Sequence, residues 1–471
     1  MESAENEGPK RDLAVVILAA GLGTRMRSRT AKVLHHVCGR PMISWVSAAA
    51  GAVAPQRLLV VLAPDLAAAA VHQVMPQNAE AVLQEQQLGT GDAVGTAAAA
   101  LPEFEGDLLV INGDTPLITG DAIDDLLDAH RQSMPACTML TVRTGDPSGY
   151  GRVCRDADGR VVRVAEERDA NQAEKKICEI NAGVYVFDAV ALWPALEQVQ
   201  SGNSQGEFYL TDVVEILSAG RQVVMAHETD DPDLVLGVNS RQDLAVAEKA
   251  MRRRILDRHM AAGVTVRDPA CTYVEADVTI GRDTVLEPMT VLAGSTQIGE
   301  DCVIGPAARI VDSEIDDGVT LVASNVAGAR IDAGCSVGPY AYIRPGTRLM
   351  QSAKAGAFVE IKNSVVGEAA KVPHLSYIGD AEIGSRTNVG AGNITANYDG
   401  VSKFRTVIGD DVHTGADTVF VAPVTIGDGA MTGAGSVITG DVPADALGIA
   451  RANQKNIEGY ARKKFAREEK D

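Results

Sequence analysis

The sequence predicts an α/β protein with two kinds of domain, an N-terminal domain built on a mostly parallel sheet and a C-terminal parallel β-helix. In the first half of the 471 residues, short apolar runs alternate with helix-like stretches, as in a parallel sheet covered on both faces. In the second half, apolar residues recur every six positions, often followed by glycine, which is the pattern of hexapeptide coils. The 46 glycines and the aromatic content of only 4% suit short stacked strands.

Five strands and two helices are predicted in the N-terminal domain. The predicted strands are Ala14–Leu18, Arg57–Leu62, Asp107–Ile111, Cys137–Val142 and Val184–Phe187, and the predicted helices are Pro41–Ala52 and Asp121–His130. Ligands of open parallel sheets bind beyond the carboxyl ends of the strands. We therefore expect the site of this domain in the segments that follow the strands.

The six-residue period predicts which residues point into the β-helix. They are Val274, Ile280, Leu286, Leu292, Ile298, Ile304 and Ile310 and, after an interruption, Ile331, Val337, Ile343 and Leu349. Ordinary amphipathic strands alternate with period two instead. Each side of a triangular coil takes one hexapeptide, with one apolar residue pointing inward.

The domain boundaries are predicted where these patterns change. Ser240 and Asp243 form a capping-box signature that begins a connecting helix. The predicted divisions are a polar tail over 1–11, the α/β domain over 12–239, a solvated connecting helix over 240–262, the β-helix over 263–443 and a C-terminal arm over 444–471.

Charge and composition restrict the classes of partner. A formal net charge of −20 and a pI of about 4.9 argue against nucleic acid, which needs a basic surface. The seven cysteines form no Cys-x-x-Cys pair, which favours free thiols in a reducing compartment. Because no apolar run reaches membrane length, we expect a cytoplasmic protein that binds neither nucleic acid nor membrane.

The first candidate site begins after the first predicted strand. Gly21 and Gly23 let backbone N–H groups approach phosphate oxygens, and Arg25 and Lys32 add positive charge there. A dinucleotide-binding fold would have a third glycine where Met26 stands, and the chain has no Gly-Lys-Ser/Thr of a P-loop. The loop therefore indicates phosphate binding of another type.

Asp114 suits a ligand of Mg²⁺, and Asn239 is a second candidate site residue of the same domain. Asp114 follows a buried strand in VINGDTPL, and Asn239 ends the domain in GVNS. Hard cations such as Mg²⁺ prefer oxygen ligands. Taken alone, Asp114 would also suit a turn and Asn239 a helix cap, so both alternatives stay open.

A second group of polar residues lies in the β-helix at positions that a purely structural coil does not need. The group consists of Arg344, Glu360, Lys362, His374, Tyr377, Asn388, Asn397, Tyr398 and Lys403. The stretch NVGAGNITANYDGVSKFRT breaks the six-residue period, so we expect an excursion from the coil, where functional residues tend to lie. A histidine among cations, a carboxylate and tyrosines favours a functional residue over a structural one.

The motifs LAAGLGTRM, VLQEQQLGTGDA, VINGDTPL and GVNS resemble those of the sugar-nucleotide pyrophosphorylases. With the hexapeptide half and its polar residues, nearly the whole chain resembles the bifunctional N-acetylglucosamine-1-phosphate uridyltransferase/glucosamine-1-phosphate acetyltransferases. The resemblance implies a Rossmann-like nucleotidyltransferase domain, a left-handed β-helix and homotrimers formed through it. It also implies Mg²⁺, and UTP, acetyl-CoA and glucosamine 1-phosphate as substrates.

The resemblance implies roles for residues of the first domain. Arg25 and Lys32 would be catalytic, and Asp114 and Asn239 would hold Mg²⁺. The residues implied to bind UTP or UDP-N-acetylglucosamine are Leu18, Ala19, Ala20, Gly21, Gly23, Lys32, Gln84, Gly89, Thr90, Gly151, Glu166, Asn181 and Asn239. Gln84, Gly89 and Thr90 would hold the uracil nucleotide, and Gly151, Glu166 and Asn181 the acetylated sugar. Ala31 is a departure, because we expect many members to have proline there.

Roles are implied in the second domain as well. His374 would be the general base and Glu360 would orient its imidazole. The residues implied to hold the sugar phosphate are Arg344, Lys362, Tyr377, Asn388 and Lys403, and those implied to bind acetyl-CoA are Asn397, Tyr398, Ala416, Ala434 and Arg451. Some relatives have serine at the position of Ala416, which puts that contact in doubt.

Two alternative functions remain. A single-activity glucose-1-phosphate pyrophosphorylase with a regulatory β-helix is disfavoured by the charged residues between Arg344 and Lys403. A non-catalytic scaffold, like the translation-initiation exchange-factor subunits that pair these folds, would be expected to lose Lys32, Asp114 or His374, and all three are present.

Overall fold

A mainly parallel sheet forms the centre of the N-terminal part of the chain, as the alternation of strands and helices predicts. The computed structural model describes residues 11–21, 23–64 and 74–465. The strands here are β1 (Leu13–Leu18), β2 (His36–Val37), β3 (Arg40–Pro41), β4 (Arg57–Leu62), β5 (Ala79–Leu83), β6 (Asp107–Asn112), β7 (Cys137–Arg143), β8 (Arg152–Arg155), β9 (Val161–Ala165), β10 (Glu179–Asp188) and β11 (Val224–Thr229). The helices are α1 (Met42–Ala52), α2 (Thr90–Ala98), α3 (Gly120–Ser133), α4 (Ala189–Leu196) and α5 (Asp212–Ala219).

The order of the strands brings the predicted site segments to one edge of the sheet. The order is β11-β7-β10-β6-β1-β4-β5, and β10 runs antiparallel to both of its neighbours. Strands β1, β4, β5 and β6 run parallel to one another, so their carboxyl ends lie at the same edge. The antiparallel β10 begins at that edge.

The central strands are buried on both faces, which explains their nearly continuous apolar sequence. In β1, Val15 and Ile17 belong to one hydrophobic cluster and Ala14 and Val16 to the other. Helices α1 and α3 contribute to the first cluster, and α2, α4 and α5 contribute to the second. The sheet therefore separates two apolar layers and holds the strand ends rigidly.

The predicted connecting helix is α6 (Arg241–Ala261). Its capping box is confirmed, because the Asp243 carboxylate accepts the Ser240 N–H at 2.8 Å and the Ser240 hydroxyl accepts the Asp243 N–H at 3.2 Å. The chain divides into two compact units within this helix, 1–254 and 255–471. The helix is only partly solvated, because Ala247 and Leu256 are fully buried. Of the predicted tail over 1–11, all but residue 11 lies outside the described residues.

The second unit contains three parallel sheets that form the faces of a β-helix. The first face consists of Thr265–Val266, Val285–Leu286, Val303–Ile304, Thr320–Leu321, Ser336–Val337, Lys354–Ala357 and Lys371–His374, and Met431–Thr432 pairs with Leu447–Gly448 further along. The second face consists of Tyr273–Val274, Val291–Ala293, Arg309–Val311, Asn325–Ala327, Tyr342–Ile343, Glu360–Lys362, Tyr377–Gly379, Ile394–Ala396, Val419–Val421 and Val437–Ile438. The third face consists of Thr279–Ile280, Gln297–Ile298, Glu314–Ile315, Arg330–Ile331, Arg348–Leu349, Val365–Val366, Ala381–Ile383, Thr406–Ile408 and Val424–Ile426.

The six-residue period corresponds to this geometry. Leu286 pairs with Ile304, three hexapeptides further on, and both are buried. All of the predicted inward residues are buried except Ile280, which is half-buried in the first strand of its face and has no preceding coil beside it. The period is interrupted after Ile310 because this residue pairs with Val326, so that one coil has only 16 residues.

The predicted C-terminal arm begins within the last coil, because Leu447–Gly448 pairs with Met431–Thr432, and residues 449–465 beyond this strand are exposed. It contains the short helix α7 (Tyr460–Phe465), and residues 466–471 lie outside the described residues. Across the described part of the chain, no helix has the length and apolarity needed to span a membrane. No disulfide joins any of the seven cysteines, all of which lie in described residues.

Candidate active sites

Three residues that are distant in sequence meet at the carboxyl edge of the first sheet. Lys32 Nζ donates to Asp114 Oδ2 at 2.5 Å and to Asn239 Oδ1 at 3.2 Å, across 82 and 207 positions of sequence. Asp114 is there because it follows β6. The Val238 N–H donates to the Asp114 carbonyl at 2.9 Å and so fixes the neighbouring Asn239.

The oxygen atoms of this group fit a magnesium ion. The Asp114 carboxylate and the Asn239 amide oxygen both face a single positive centre, the Lys32 ammonium. Mg²⁺ is usually bound by one or two protein oxygens, with waters and substrate phosphates as further ligands. The helix-cap alternative for Asn239 is wrong, because Ser240 caps α6.

In the predicted phosphate loop, Gly23 packs closely against Lys32, whereas a Cβ at Gly21 would have no atom within 4 Å, and the approach of the loop to a phosphate stays a prediction. Gly23 has φ +58°, and a Cβ there would lie 2.8 Å from Lys32 Cβ, so a larger residue would displace the lysine. Ala31 has φ −56°, which is within the range that proline imposes, so its departure leaves the backbone of the loop proline-like. Arg25 is exposed in the short 3₁₀ helix Thr24–Met26, whose last residue is buried. Its catalytic role stays a prediction.

The predicted uracil-binding residues lie together after β5. Gln84 is buried, and its Nε2 donates to the Gly89 carbonyl at 3.2 Å and to Asp92 Oδ2 at 2.7 Å. Gly89 has φ +123°, and a Cβ would lie 2.4 Å from the Phe208 carbonyl oxygen, so only glycine fits. Asp92, which the sequence analysis did not identify, holds the Gln84 amide from the first turn of α2.

The predicted sugar-binding residues also meet. The Gly151 carbonyl accepts the Asn181 N–H at 2.9 Å, and a Cβ at Gly151 would lie 3.6 Å from the Glu166 carboxylate. The Asn181 amide donates to the Tyr185 hydroxyl at 2.6 Å, so its side chain has a fixed orientation. Backbone and side-chain polar groups thus converge around Gly151, as a sugar hydroxyl requires.

Glu166 has an unusual environment for a carboxylate. Burial raises its pKa, and the neighbouring Asp212 and Asp169 act in the same direction. The Thr211 hydroxyl donates to Glu166 Oε1 at 3.0 Å and opposes this effect. Thr211 was not identified from the sequence, because nothing distinguishes it from other threonines near the start of a helix.

In the β-helix, one buried carboxylate organises several predicted residues. Asp380 accepts hydrogen bonds from Lys362 at 3.3 Å, from Asn363 at 2.6 Å and from the amide of Asn397. The sequence analysis did not identify Asp380. The structure therefore brings Lys362 and Asn397 together through a residue between them in the sequence.

Cations concentrate at the same end of the second face. The adjacent Lys362 ammonium lowers the pKa of Lys403, and Arg344 contributes in the same direction. Arg344 also donates to Glu360 Oε1 at 2.7 Å. The Asp380 and Glu360 carboxylates pair with Lys362 and Arg344, and an anion such as a phosphate would further reduce the repulsion between the cations.

The predicted excursion from the coil is confirmed. Thr406 pairs with Ala381, 25 positions earlier, whereas neighbouring coils are close to 18 residues long. The additional residues form a loop closed by an antiparallel bridge between Tyr398 and Lys403. Tyr398 lies in this loop, and its ring is exposed.

His374 and three of the predicted acetyl-CoA residues lie along one corner of the β-helix, between the first and second faces. Successive coils are joined there by hydrogen bonds from Gly392 N to His374 O (3.2 Å), Asp417 N to Ala391 O (2.8 Å), Gly435 N to Ala416 O (2.8 Å) and Arg451 Nη1 to Ala434 O (2.6 Å). This row of corner residues gives an elongated ligand such as acetyl-CoA a continuous edge.

Not every predicted contact is present within the chain. Asn388 lies on the first face, bridged to Lys371 and His413, away from the cations at the end of the second face. Glu360 bonds to Arg344, and the His374 imidazole has no hydrogen-bond partner among the described residues. The orientation of His374 by Glu360 and the sugar-phosphate role of Asn388 stay predictions.

The fold and the two candidate sites together define a transferase that has a nucleotide-binding α/β domain and a hexapeptide-repeat β-helix. Two family descriptions match: the MobA-like NTP transferase domain over residues 15–209, and the bacterial transferase hexapeptide (six repeats) over residues 405–440. Three relatives, each called bifunctional protein GlmU, come from Mycobacterium bovis (48% identical, covering 96% of this chain and 93% of the relative), Nocardia farcinica (49%, 96% and 92%) and Mycobacterium leprae (47%, 96% and 93%).

The chain therefore belongs to the family of bifunctional GlmU proteins. Its β-helix is of the left-handed hexapeptide type. The alternatives of a single-activity pyrophosphorylase and of a non-catalytic scaffold are set aside by this assignment.

Proposed function

We propose that the chain makes UDP-N-acetylglucosamine with two separate sites. The β-helix acetylates glucosamine 1-phosphate with acetyl-CoA. The N-terminal domain then transfers UMP from UTP to N-acetylglucosamine 1-phosphate and releases pyrophosphate. The observation that carries the second reaction is the convergence of Lys32, Asp114 and Asn239 at one sheet edge.

Uridylyl transfer needs positioning and charge rather than a covalent intermediate. Gln84 and Gly89 hold the uracil end of the nucleotide, and Gly151, Glu166 and Asn181 hold the acetylated sugar. The Lys32 ammonium stabilises the negative charge that builds on the α-phosphate as the sugar phosphate attacks in line. Asp114 and Asn239 would hold Mg²⁺, which would supply further positive charge to the phosphates.

Acetyl transfer needs a base and an anchored sugar phosphate. Arg344, Lys362 and Lys403 bind the phosphate and so place the amine of the sugar. The His374 imidazole takes a proton from this amine as the nitrogen attacks the thioester carbonyl carbon and the CoA thiolate leaves. The row of corner residues from His374 to Arg451 supports acetyl-CoA along the β-helix.

We infer that the β-helix forms a homotrimer through the corner that carries His374. On the third face, cations are paired with carboxylates, for example Arg330 with Glu314 at 2.9 Å, which is typical of a solvated surface. The corner between the first and second faces instead exposes Met289, Tyr340, Phe358 and Leu375. A contiguous exposed apolar strip marks a protein contact.

This contact explains why the acetyltransferase site is incomplete in one subunit. Leu375 of the apolar corner directly follows His374, so a second chain packed there covers the imidazole. Asn388 on the first face and Tyr398 on the excursion lie away from that corner and reach a site only on a neighbouring chain. We place the trimer in the cytoplasm, where UTP and acetyl-CoA occur and where thiols remain reduced.

Two variants test the assignment of both sites in one chain. Asp114→Ala should abolish Mg²⁺-dependent release of pyrophosphate from UTP and leave acetyl transfer intact. His374→Ala should reduce acetyl transfer by roughly 10²–10⁴ and leave uridylyl transfer intact. Each variant is the control for the other, since the unaffected activity reports a folded chain. Normal Mg²⁺-dependent turnover of UTP by Asp114→Ala would contradict the metal assignment.

A further inference from the structure

Two adjacent glutamates at the sugar end of the first site have different partners. The Glu166 carboxylate lies beside Gly151 and accepts a hydrogen bond from the Thr211 hydroxyl. Glu167 turns the other way, and its Oε2 accepts the Arg152 Nη2 at 2.7 Å and the Gly149 N–H at 3.1 Å. The second glutamate therefore contacts the loop that carries Gly151 instead of the position where the sugar binds.

Arg152 is the partner that makes this contact unusual. Its side chain is only 2% exposed, and its Nε is buried without a hydrogen-bond partner. Its Nη1 donates to the Tyr150 carbonyl. A buried guanidinium is costly unless it is paired, and removal of its partner leaves an uncompensated charge in the interior. The ion pair with Glu167 is therefore needed to keep Arg152 in this position.

Together, these contacts hold the loop at three successive residues. Glu167 accepts the Gly149 N–H, Arg152 donates to the Tyr150 carbonyl, and the Asn181 N–H donates to the Gly151 carbonyl. Gly149 has φ +86°, a conformation that favours glycine and that allows its N–H to face Glu167. These hydrogen bonds, from Glu167 and Arg152 before Gly151 and from Asn181 at Gly151 itself, fix the position of Gly151 relative to Glu166.

We propose that Arg152 and Glu167 are a positioning pair that fixes the sugar-binding loop and thereby sets the affinity for N-acetylglucosamine 1-phosphate. Neither residue touches the sugar; both act through the backbone of Gly149, Tyr150 and Gly151. The inference rests on the proposed function, in which Gly151, Glu166 and Asn181 bind the acetylated sugar. It explains what holds the sugar-binding loop in the conformation that the sugar site needs.

Glu167→Ala is the primary test, in the full-length chain with steady-state uridylyl transfer as the readout. The KM for N-acetylglucosamine 1-phosphate should rise about tenfold, the usual effect of losing a hydrogen bond to a charged group. The KM for UTP and the acetyl-transfer rate should stay within about twofold of the parent, because neither depends on this loop. Glu167→Gln keeps an acceptor for the Gly149 N–H but removes the charge that compensates Arg152, so it should recover only part of the affinity.

Glu174 offers a matched control on the same part of the domain. Its carboxylate also bonds one arginine, Arg163, and one backbone N–H, that of Asn171 at 2.9 Å. Glu174→Ala therefore removes the same two kinds of contact away from the sugar loop, from an arginine that is 37% exposed rather than 2%. It should lower the unfolding temperature by less than Glu167→Ala and leave the KM for the sugar phosphate unchanged.

The outcomes separate this inference from the function on which it rests. If Glu166→Gln raises the KM for the sugar phosphate but neither Glu167 variant does, the positioning pair is overturned and the sugar site stands. If none of the three variants changes this KM, the sugar site itself is wrong. Equal effects of Glu167→Ala and Glu174→Ala on this KM would indicate a general loss of stability and would also overturn the inference.

Discussion

At the scale of single residues, the sugar site carries a cost in stability. The folded pKa of Glu166 is raised, chiefly by burial, above its value in the unfolded chain. The stability associated with Glu166 is therefore fully present below the unfolded pKa and is lost as the pH rises through the folded pKa. Burial therefore disfavours the charged form of this carboxylate in the folded chain.

Glu166→Gln should therefore make the N-terminal domain more stable and the sugar site weaker. The amide oxygen still accepts the Thr211 hydroxyl, but no charge is desolvated. Thermal unfolding should show a higher transition temperature for the variant near pH 8, with the difference shrinking towards pH 4. The KM for N-acetylglucosamine 1-phosphate should rise about tenfold. A parent chain more stable than the variant near pH 8 would contradict the argument.

Site residues could be predicted from the sequence when their positions follow directly from the strand order of the sheet. Asp114 could be predicted because it directly follows a buried strand, and residues at that edge meet wherever the fold is a parallel sheet. Asp380 and Thr211 could not, because their importance comes from the side chains that reach them. Asp380 is one of many corner residues with positive φ, and only tertiary contacts with Lys362 and Asn397 distinguish it.

At the scale of elements, the six-residue period predicts that the second half forms a β-helix, but it does not predict the length of each coil. Inward residues six apart could be assigned without a structure, because each coil repeats the same geometry. The 16-residue coil that begins with Arg309 and the excursion at Tyr398 could not be placed by period alone. The excursion was predicted only as a break in the pattern, whereas its Tyr398–Lys403 bridge depends on the folded loop.

Helix α6 illustrates the same limit at a domain boundary. The capping box at Ser240 predicts where the helix begins, but the division between the two units falls further along, at residues 254 and 255. The first part of the helix is tied to the N-terminal unit, since Glu248 accepts the Cys38 N–H at 2.7 Å and Arg254 donates to the Leu117 carbonyl at 2.5 Å.

Fragments cut at two positions test this boundary. We expect residues 1–240 to retain uridylyl transfer and residues 263–471 to retain acetyl transfer, because each part has its own core. A fragment ending at 254 should unfold at a higher temperature than one ending at 240, because it keeps the contacts of Glu248 and Arg254. Measurement of both activities and of thermal unfolding checks this, and equal stability of the two N-terminal fragments would contradict it.

At the scale of the whole molecule, the two predicted sites differ in how far a single chain brings their residues together. The predicted residues of the first reaction share one sheet edge, whereas those of the second are spread over two faces and two corners of a prism. A smooth prism of stacked coils offers no deep pocket of its own. Exclusion of water strengthens the electrostatic contacts of a site, so closure by a neighbouring chain favours the second reaction.

Mixed trimers test whether the acetyltransferase site is shared between subunits. His374 lies on the apolar corner, and Tyr398 lies on the excursion beyond the second face, so we expect each site to take them from different chains. His374→Ala and Tyr398→Ala should each be strongly impaired, and trimers reassembled from both should regain activity at sites that receive one intact residue from each chain. Uridylyl transfer controls for folding, and mass spectrometry verifies mixing. Verified mixed trimers no more active than either parent would overturn the shared site and leave His374 as a base that acts within its own chain.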